Sequence, residues 1–140
     1  MRSILLHCKK FNANITGLST RGVDVAPEDI THTEYGSENC IAVFITVEKS
    51  DDIESVTSLI AKEIENFCID TQENKITLCP FAHLSHSLAP FKIGIQFFDL
   101  LEEYLKSKNI YEITRVHFGS DKEVLVHIFG HSGNVRYREF

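Results

Sequence analysis

A chain of 140 residues, 43% hydrophobic and 24% charged, has room for one domain, residues 1–140, with the make-up of an ordinary globular protein. Its net charge of −6, from 14 basic and 20 acidic residues, excludes a surface that coats nucleic acid by neutralising phosphates, but not a pocket that grips one nucleotide or a short RNA end. Seven Gly and three Pro without repeats exclude fibrous and disordered classes, and no apolar run is long enough to span a bilayer.

The opening Met1–His7 has neither the long apolar region nor the cleavage site of a signal peptide, so a soluble, cytoplasmic setting is expected. Arg2 to His7 reads as an opening strand. Lys9 to Asn39 is read as a long excursion. Within it Asn14–Leu18 is a possible second strand, and Val23–Glu38 carries turn and polar residues with little periodicity. Cys40 to Glu48 is a continuous β-branched run, the pattern of a strand buried on both faces. Ser50 or Asp51 then caps a helix, with Glu54 at capping-box spacing from Asp51. Ile53, Val56, Ile60, Ile64 and Phe67 recur along one face of it.

Lys75 to Cys79 is a short buried strand stopped by Pro80. A second helix is predicted from about Phe91 to Lys108, with Ile95, Phe98, Leu101 and Leu105 inward and Asn109 as its terminator. Glu112–Phe118 and Glu123–Phe129 read as two strands joined in a hairpin through Gly119–Lys122. Strand–helix–strand units demand parallel pairing, and the hairpin adds an antiparallel pair. The expected fold class is α/β (α+β by a stricter label), a mixed sheet with βαβ crossovers and two main helices. The four cysteines, Cys8, Cys40, Cys68 and Cys79, form no C-x-x-C pair and read as buried, reduced thiols.

In open α/β sheets ligands bind beyond the carboxyl ends of parallel strands. Two segments leave such ends here: Thr46-Val47-Glu48-Lys49, and Cys79 through His86, where Pro80 breaks the ladder and frees backbone groups to face a ligand. His83 follows at once as a candidate functional imidazole. Cys79, His83 and His86, completed by His117, His127 or His131, were a zinc set if their spacing matched a standard finger; it does not, and no metal is expected. Phe118-Gly119-Ser120-Asp121-Lys122 offers close backbone approach at Gly119 and an ammonium at Lys122. No P-loop, G-x-G-x-x-G or G-x-S-x-G occurs.

These pieces together resemble the N-terminal editing domain of archaeal-type threonyl-tRNA synthetases, a family with the D-aminoacyl-tRNA deacylase-like fold. The likeness rests on Met1–His7, on Ala42–Lys49 ending in Val-Glu-Lys, and on Pro80-Phe81-Ala82-His83-Leu84-Ser85 with Leu88-Ala89. It extends to Phe118-Gly119 with Lys122 and to the late pair Gly130-His131. The resemblance implies proofreading: hydrolysis of L-seryl-tRNA(Thr) in a pocket too small for threonine, with help from the 2′-hydroxyl of the terminal adenosine and without a cofactor.

It also implies roles. Val47, Pro80 and Ala82 offer backbone contacts, and Phe118 and Gly119 line the pocket. Phe81 and Asp121 stand with the substrate-binding set, while His83 and Lys122 assist catalysis. The implied partners are the serine-bearing 3′ end of tRNA(Thr), a synthetase catalytic domain in cis or in trans, and a second copy of the chain; no membrane is implied. The chain departs from the family pattern at three places: Asp121 where a Tyr is usual, Val135 where a Glu is usual, and His7-Cys8-Lys9-Lys10 where His-Ser-Asp-Tyr is usual. Two alternatives stay open beside the lead: a domain of this fold that binds tRNA or a partner without turnover, and a D-aminoacyl-tRNA deacylase.

Overall fold

The computed structural model describes residues 1–20 and 24–140. In chain order the elements are β1 (Arg2–Leu18), β2 (Glu34–Thr46), α1 (Ile53–Thr71), β3 (Lys75–Pro80), α2 (Phe91–Ser107), β4 (Glu112–Arg115), β5 (Ser120–Ile128) and β6 (Val135–Glu139). The sheet runs β4-β3-β2-β1-β5, with β6 sharing the outer side of β1. Both crossovers behave as the helix periodicity demands: β2–α1–β3 and β3–α2–β4 join parallel neighbours. The expected mixed sheet with two main helices is the architecture observed.

Three local expectations are corrected. Asn14–Leu18 is the second half of β1, which pairs with β2 from Arg2 to Asn14. The irregular stretch narrows accordingly, since Glu34–Glu38 already belongs to β2; its residues 21–23 lie outside the described residues. The hairpin of Glu112–Phe118 with Glu123–Phe129 does not form. β4 adds parallel to β3 at one edge, whereas β5 pairs antiparallel with β1 at the other. Finally, neither Ser50 nor Asp51 caps α1. Asp52 is the N-cap residue, without a side-chain bond, and the Asp51 carboxylate is instead engaged by the Met1 ammonium at 2.5 Å and the Glu48 N–H at 2.7 Å.

Period-two alternation sends Met1 and Leu5 toward the helices and Leu6 and Cys8 to the opposite face. A register shift against β5 between Cys8 and Lys10 then inverts the parity, so Phe11 and Ala13 stay on the face of Leu6 and Cys8. Asn39 on β2 turns over beside it at φ 50, a left-handed conformation that asparagine tolerates. One core is thus packed under α1 and α2, around Ile60, Ile64, Phe67, Phe97, Phe98 and Leu101. Each of these buried large side chains is worth about 1.5–3 kcal/mol.

The second core, around Phe11, Phe44, Cys79 and Val116, lies on the other face and takes Val124 and Ile128 of β5 against it. The sheet therefore curls: Lys122 of β5 reaches the Pro80 carbonyl of β3 although β2 and β1 stand between them in strand order. That curl creates the site. All four thiols are free and buried, as expected. Asn109 ends α2 at φ 57, in its expected role. No helix among the described residues is long and apolar enough to cross a membrane.

Candidate active site

Three segments converge at the carboxyl ends of the parallel strands β2 and β3. Contrary to the expected stop, β3 includes Pro80, which pairs with Ile45, and the ladder continues past it, with the Phe81 N–H donating to the Ile45 carbonyl at 2.9 Å. There Thr46, only 2% exposed, takes over. Its hydroxyl donates to the Phe81 carbonyl and accepts the Leu84 N–H at 3.4 Å, bracing the turn that carries Ala82 and His83 outward. The chain then returns along the extension of β2. Lys49 N–H meets the Ser87 carbonyl at 3.1 Å, Ala89 N–H meets the Val47 carbonyl at 3.0 Å, and Glu48 bridges to Leu88.

Glu48 is the electrostatic post of this loop. One carboxylate oxygen accepts the Ser85 hydroxyl and lies 3.4 Å from Arg2 Nε; the other lies 3.1 Å from the Met1 ammonium. The Ser85 hydrogen bond, with the ammonium and Arg2 charges, holds the carboxyl below its ordinary range against the opposing effect of burial. Arg2 also donates to the Leu84 carbonyl at 3.3 Å.

Lys122 enters from β5. Its Nζ lies 3.5 Å from the Pro80 carbonyl oxygen, and among the described residues it makes no ion pair. Burial lowers its pKa, since a cation there has exchanged water for a single carbonyl and an apolar surround. His83 stands three residues beyond Pro80: its exposed ring packs edge-on against Phe81 at 5.0 Å, and Phe81 in turn rests on Phe44 at 5.4 Å.

Of the other expected site residues, Val47 is buried with its carbonyl already spent on Ala89. Ala82 is exposed at the turn, and Pro80 presents its carbonyl to Lys122. Phe118 is half-buried against α2, and Gly119 adopts φ 74 beside it. Asp121 is exposed opposite Gly17 of β1 and acts on Lys122 only through its charge.

The remaining motif pieces sit elsewhere. His7 pairs with Ile41, five positions along β1 from the Arg2–Thr46 pair that marks the site end, roughly 16 Å away. There His7 Nδ1 lies 2.7 Å from His131 Nε2 and its Nε2 lies 3.1 Å from Glu73, so the opening His and the Gly130-His131 pair meet each other rather than the site. Val135 opens β6 opposite Leu6 in the same region.

Thr46 and the Glu48–Ser85–Arg2 network had no role assigned from sequence. Strand parity carries a usable signal for Thr46, because it shares the face of Ala42 and Phe44 toward which Phe81 folds. The ion network joins residues too distant in sequence for any local pattern to announce.

Chemically, this is an unpaired cation beside peptide groups and an outward imidazole. Among the described residues the converging segments assemble no activated nucleophile: Cys79 is buried with its thiol pushed up to about 11, and Ser85 is held by a carboxylate rather than an imidazole, while Cys40, lowered to about 7 by its hydrogen bond with Cys8, is fully buried away from them. No group of three His, Cys, Asp or Glu side chains there is placed to hold a metal ion. Cys79 turns into the second core while His83 and His86 face outward, so the set considered for zinc is not brought together. Two surface hollows, of about 540 Å³ along Asp99–Ser107 and about 430 Å³ beside Phe11, Gly36 and Lys75, include no residue of the converging segments.

The family described as the archaea-specific editing domain of threonyl-tRNA synthetase matches residues 1–139. Among curated proteins, the threonine–tRNA ligase of Staphylothermus marinus is 32% identical over 133 residues, covering 94% of this chain and 21% of that one. The threonine–tRNA ligase of Hyperthermus butylicus is 33% identical over 137 residues, with the same coverage of each. The chain spans about a fifth of the length of these relatives. Among solved structures, a c-Myc DNA unwinding element binding protein superposes with a TM-score of 0.66 at 15% identity, covering 100% of this chain and 99% of its own. That likeness establishes a shared fold.

Proposed function

Because the chain belongs to the archaea-specific editing domain family of threonyl-tRNA synthetase, we propose that its 140 residues act as one proofreading unit that hydrolyses L-seryl-tRNA(Thr) at the terminal adenosine. A synthetic site shaped for threonine rejects serine only through one missing methyl group, worth about 1–3 kcal/mol. A second site that admits serine and is too small for threonine supplies the remaining discrimination.

The observation that carries this reading is the meeting of Lys122 with the Pro80 carbonyl. In this reading the unpaired ammonium stabilises the negative charge that develops on an ester bound at the strand ends. His83, beside Phe81, orients the sugar or the attacking water. In this reading water attacks the ester directly, helped by the adenosine 2′-hydroxyl, since the converging segments carry no activated nucleophile. Val47, Pro80, Phe81, Ala82, Phe118, Gly119 and Asp121 form the surround of the aminoacyl-adenosine. Only the accepting end of the tRNA enters, which reconciles an RNA substrate with a net charge of −6. The partners in this reading are a synthetase catalytic domain, in cis or in trans, and a second copy of the chain, all in the cytoplasm.

The test is seryl-tRNA(Thr) ending in 2′-deoxyadenosine. It should resist hydrolysis far more than Lys122→Ala slows the reaction on ordinary seryl-tRNA. Equal losses would move the catalytic burden to side chains and defeat the 2′-hydroxyl mechanism. A domain that releases no aminoacyl group is a binding module, the reading that the exposed Asp121 at the usual tyrosine position favours. Release of D-amino acids instead would mark the other deacylase class.

A further inference from the structure

The turn that leads into Lys122 is seated on the first turns of α2 by a reciprocal contact. Gly94 is buried in α2, and a Cβ added there would lie 2.5 Å from Phe118 Cζ and 3.0 Å from Cε2. Gly119, at φ 74, is its counterpart: a Cβ there would lie 2.5 Å from Phe91 Cε1. Each phenylalanine ring thus rests on the other segment's glycine. The two rings pack edge to face at 5.2 Å, and Phe98 flanks Phe118 at 5.8 Å. A ring held on two sides cannot yield to a new methyl group by a small rotation, so the load of any side chain at position 94 falls on the Phe118 backbone.

From Phe118 that displacement passes directly along the chain. The Gly119 carbonyl is held by Ser19 N–H at 2.9 Å, and the Ser120 hydroxyl donates to the His117 carbonyl at 3.2 Å. This tightens the few residues between the aromatic contact and Lys122. The room between Lys122 and the Pro80–Ser85 turn is therefore set by how deeply Phe118 sits on α2.

We propose that Gly94, which has no place in the site itself, is a positioning residue for Lys122. By taking the tip of Phe118 against its bare Cα, it fixes where the ammonium meets the Pro80 carbonyl. The consequence for activity rests on the deacylase reading; the consequence for Lys122 placement does not.

The experiment compares wild type with Gly94→Ala in the full 140-residue chain, using a short pulse of an acetylating reagent and mass spectrometry of each lysine. Gly94→Ala should raise Lys122 labelling several-fold while Lys62, exposed on α1, labels as before. With seryl-tRNA(Thr) as substrate, kcat should fall with little change in KM. Adding Phe118→Leu, which shortens the ring tip, should recover part of the protection of Lys122. Wild-type labelling of Lys122 in a folded Gly94→Ala chain would overturn the proposal. If Gly94→Ala gives no cooperative melt, Phe91→Leu removes the ring lying on Gly119 without burdening the helix. It should also raise Lys122 labelling, and no rise would overturn the proposal. Labelling is read without tRNA, so its outcome is separate from that of the deacylation assays.

Discussion

Thr46→Val tests the idea that one buried hydroxyl braces the candidate active-site turn. Valine keeps the branched shape but deletes a donor to the Phe81 carbonyl and an acceptor for the Leu84 N–H. Two hydrogen bonds of about 0.5–1.5 kcal/mol net each give a loss of about 1–3 kcal/mol. At about 4 °C per kcal/mol for a chain of this length, the melting temperature falls by about 4–12 °C.

The loss is local, so amide exchange is the sharper assay. About 2 kcal/mol corresponds to roughly thirtyfold faster opening at Leu84. The Phe81 amide, bonded to the Ile45 carbonyl rather than to Thr46, serves as the internal control. Equal exchange at Leu84 in both proteins, with an unchanged melt, would refute the bracing role of the hydroxyl.

Lys122→Met should leave the melt at pH 7 unchanged or raise it, while proposed seryl-tRNA hydrolysis falls on the order of a hundredfold. Burial lowers the Lys122 pKa in the folded chain, so carrying the proton costs stability at neutral pH. That cost shrinks as the pH climbs toward the ordinary lysine value of about 10.4; a clear loss of stability at pH 7 would contradict the desolvated-cation reading. Glu48 behaves with the opposite sign. Its depressed folded pKa gives stability that is present above the ordinary glutamate value of about 4.3 and lost as the pH falls through the lower folded value. Wild type should therefore outlast Glu48→Gln at pH 6 and lose that margin in acid, as followed by melts across pH. A thiol reagent should leave all four buried cysteines unmodified until the chain unfolds, Cys68 with its thiol pushed up to about 12 among them.

How much of this was legible depended on the range of the forces involved. Val56, Ile60, Ile64 and Phe67 announce α1 because helix burial repeats within the local sequence. Cys40–Glu48 and Lys75–Cys79 announce buried parallel strands through local apolar and β-branched runs, although Pro80 lies within β3 rather than stopping it. The outer half of β1 reads as a separate strand because the shift after Cys8 breaks its alternation. β6 escaped because Arg136 and Arg138 serve it by ion pairs to Glu63 on α1 rather than by apolar burial. The expected hairpin does not form because nearness in sequence does not decide pairing: β4 adds to β3, and the curled sheet carries β5 to β1.

At the site, the converging segments were readable as strand ends and as a family pattern. Their bracing by Thr46, Glu48 and Arg2 was not, since each of those contacts closes a loop that only the folded sheet brings together. The opening His and the late Gly-His pair were readable as motifs, yet their contact with each other at the far end of β1 emerged only from the topology.

The most direct measurement is the pair of first-order rates at which the purified chain releases serine and threonine from the same tRNA(Thr). A proofreading site that admits a hydroxymethyl group and excludes one further carbon predicts rapid loss of serine with threonine retained over the same interval. Equal rates for the two esters, or faster loss of threonine, would contradict the account.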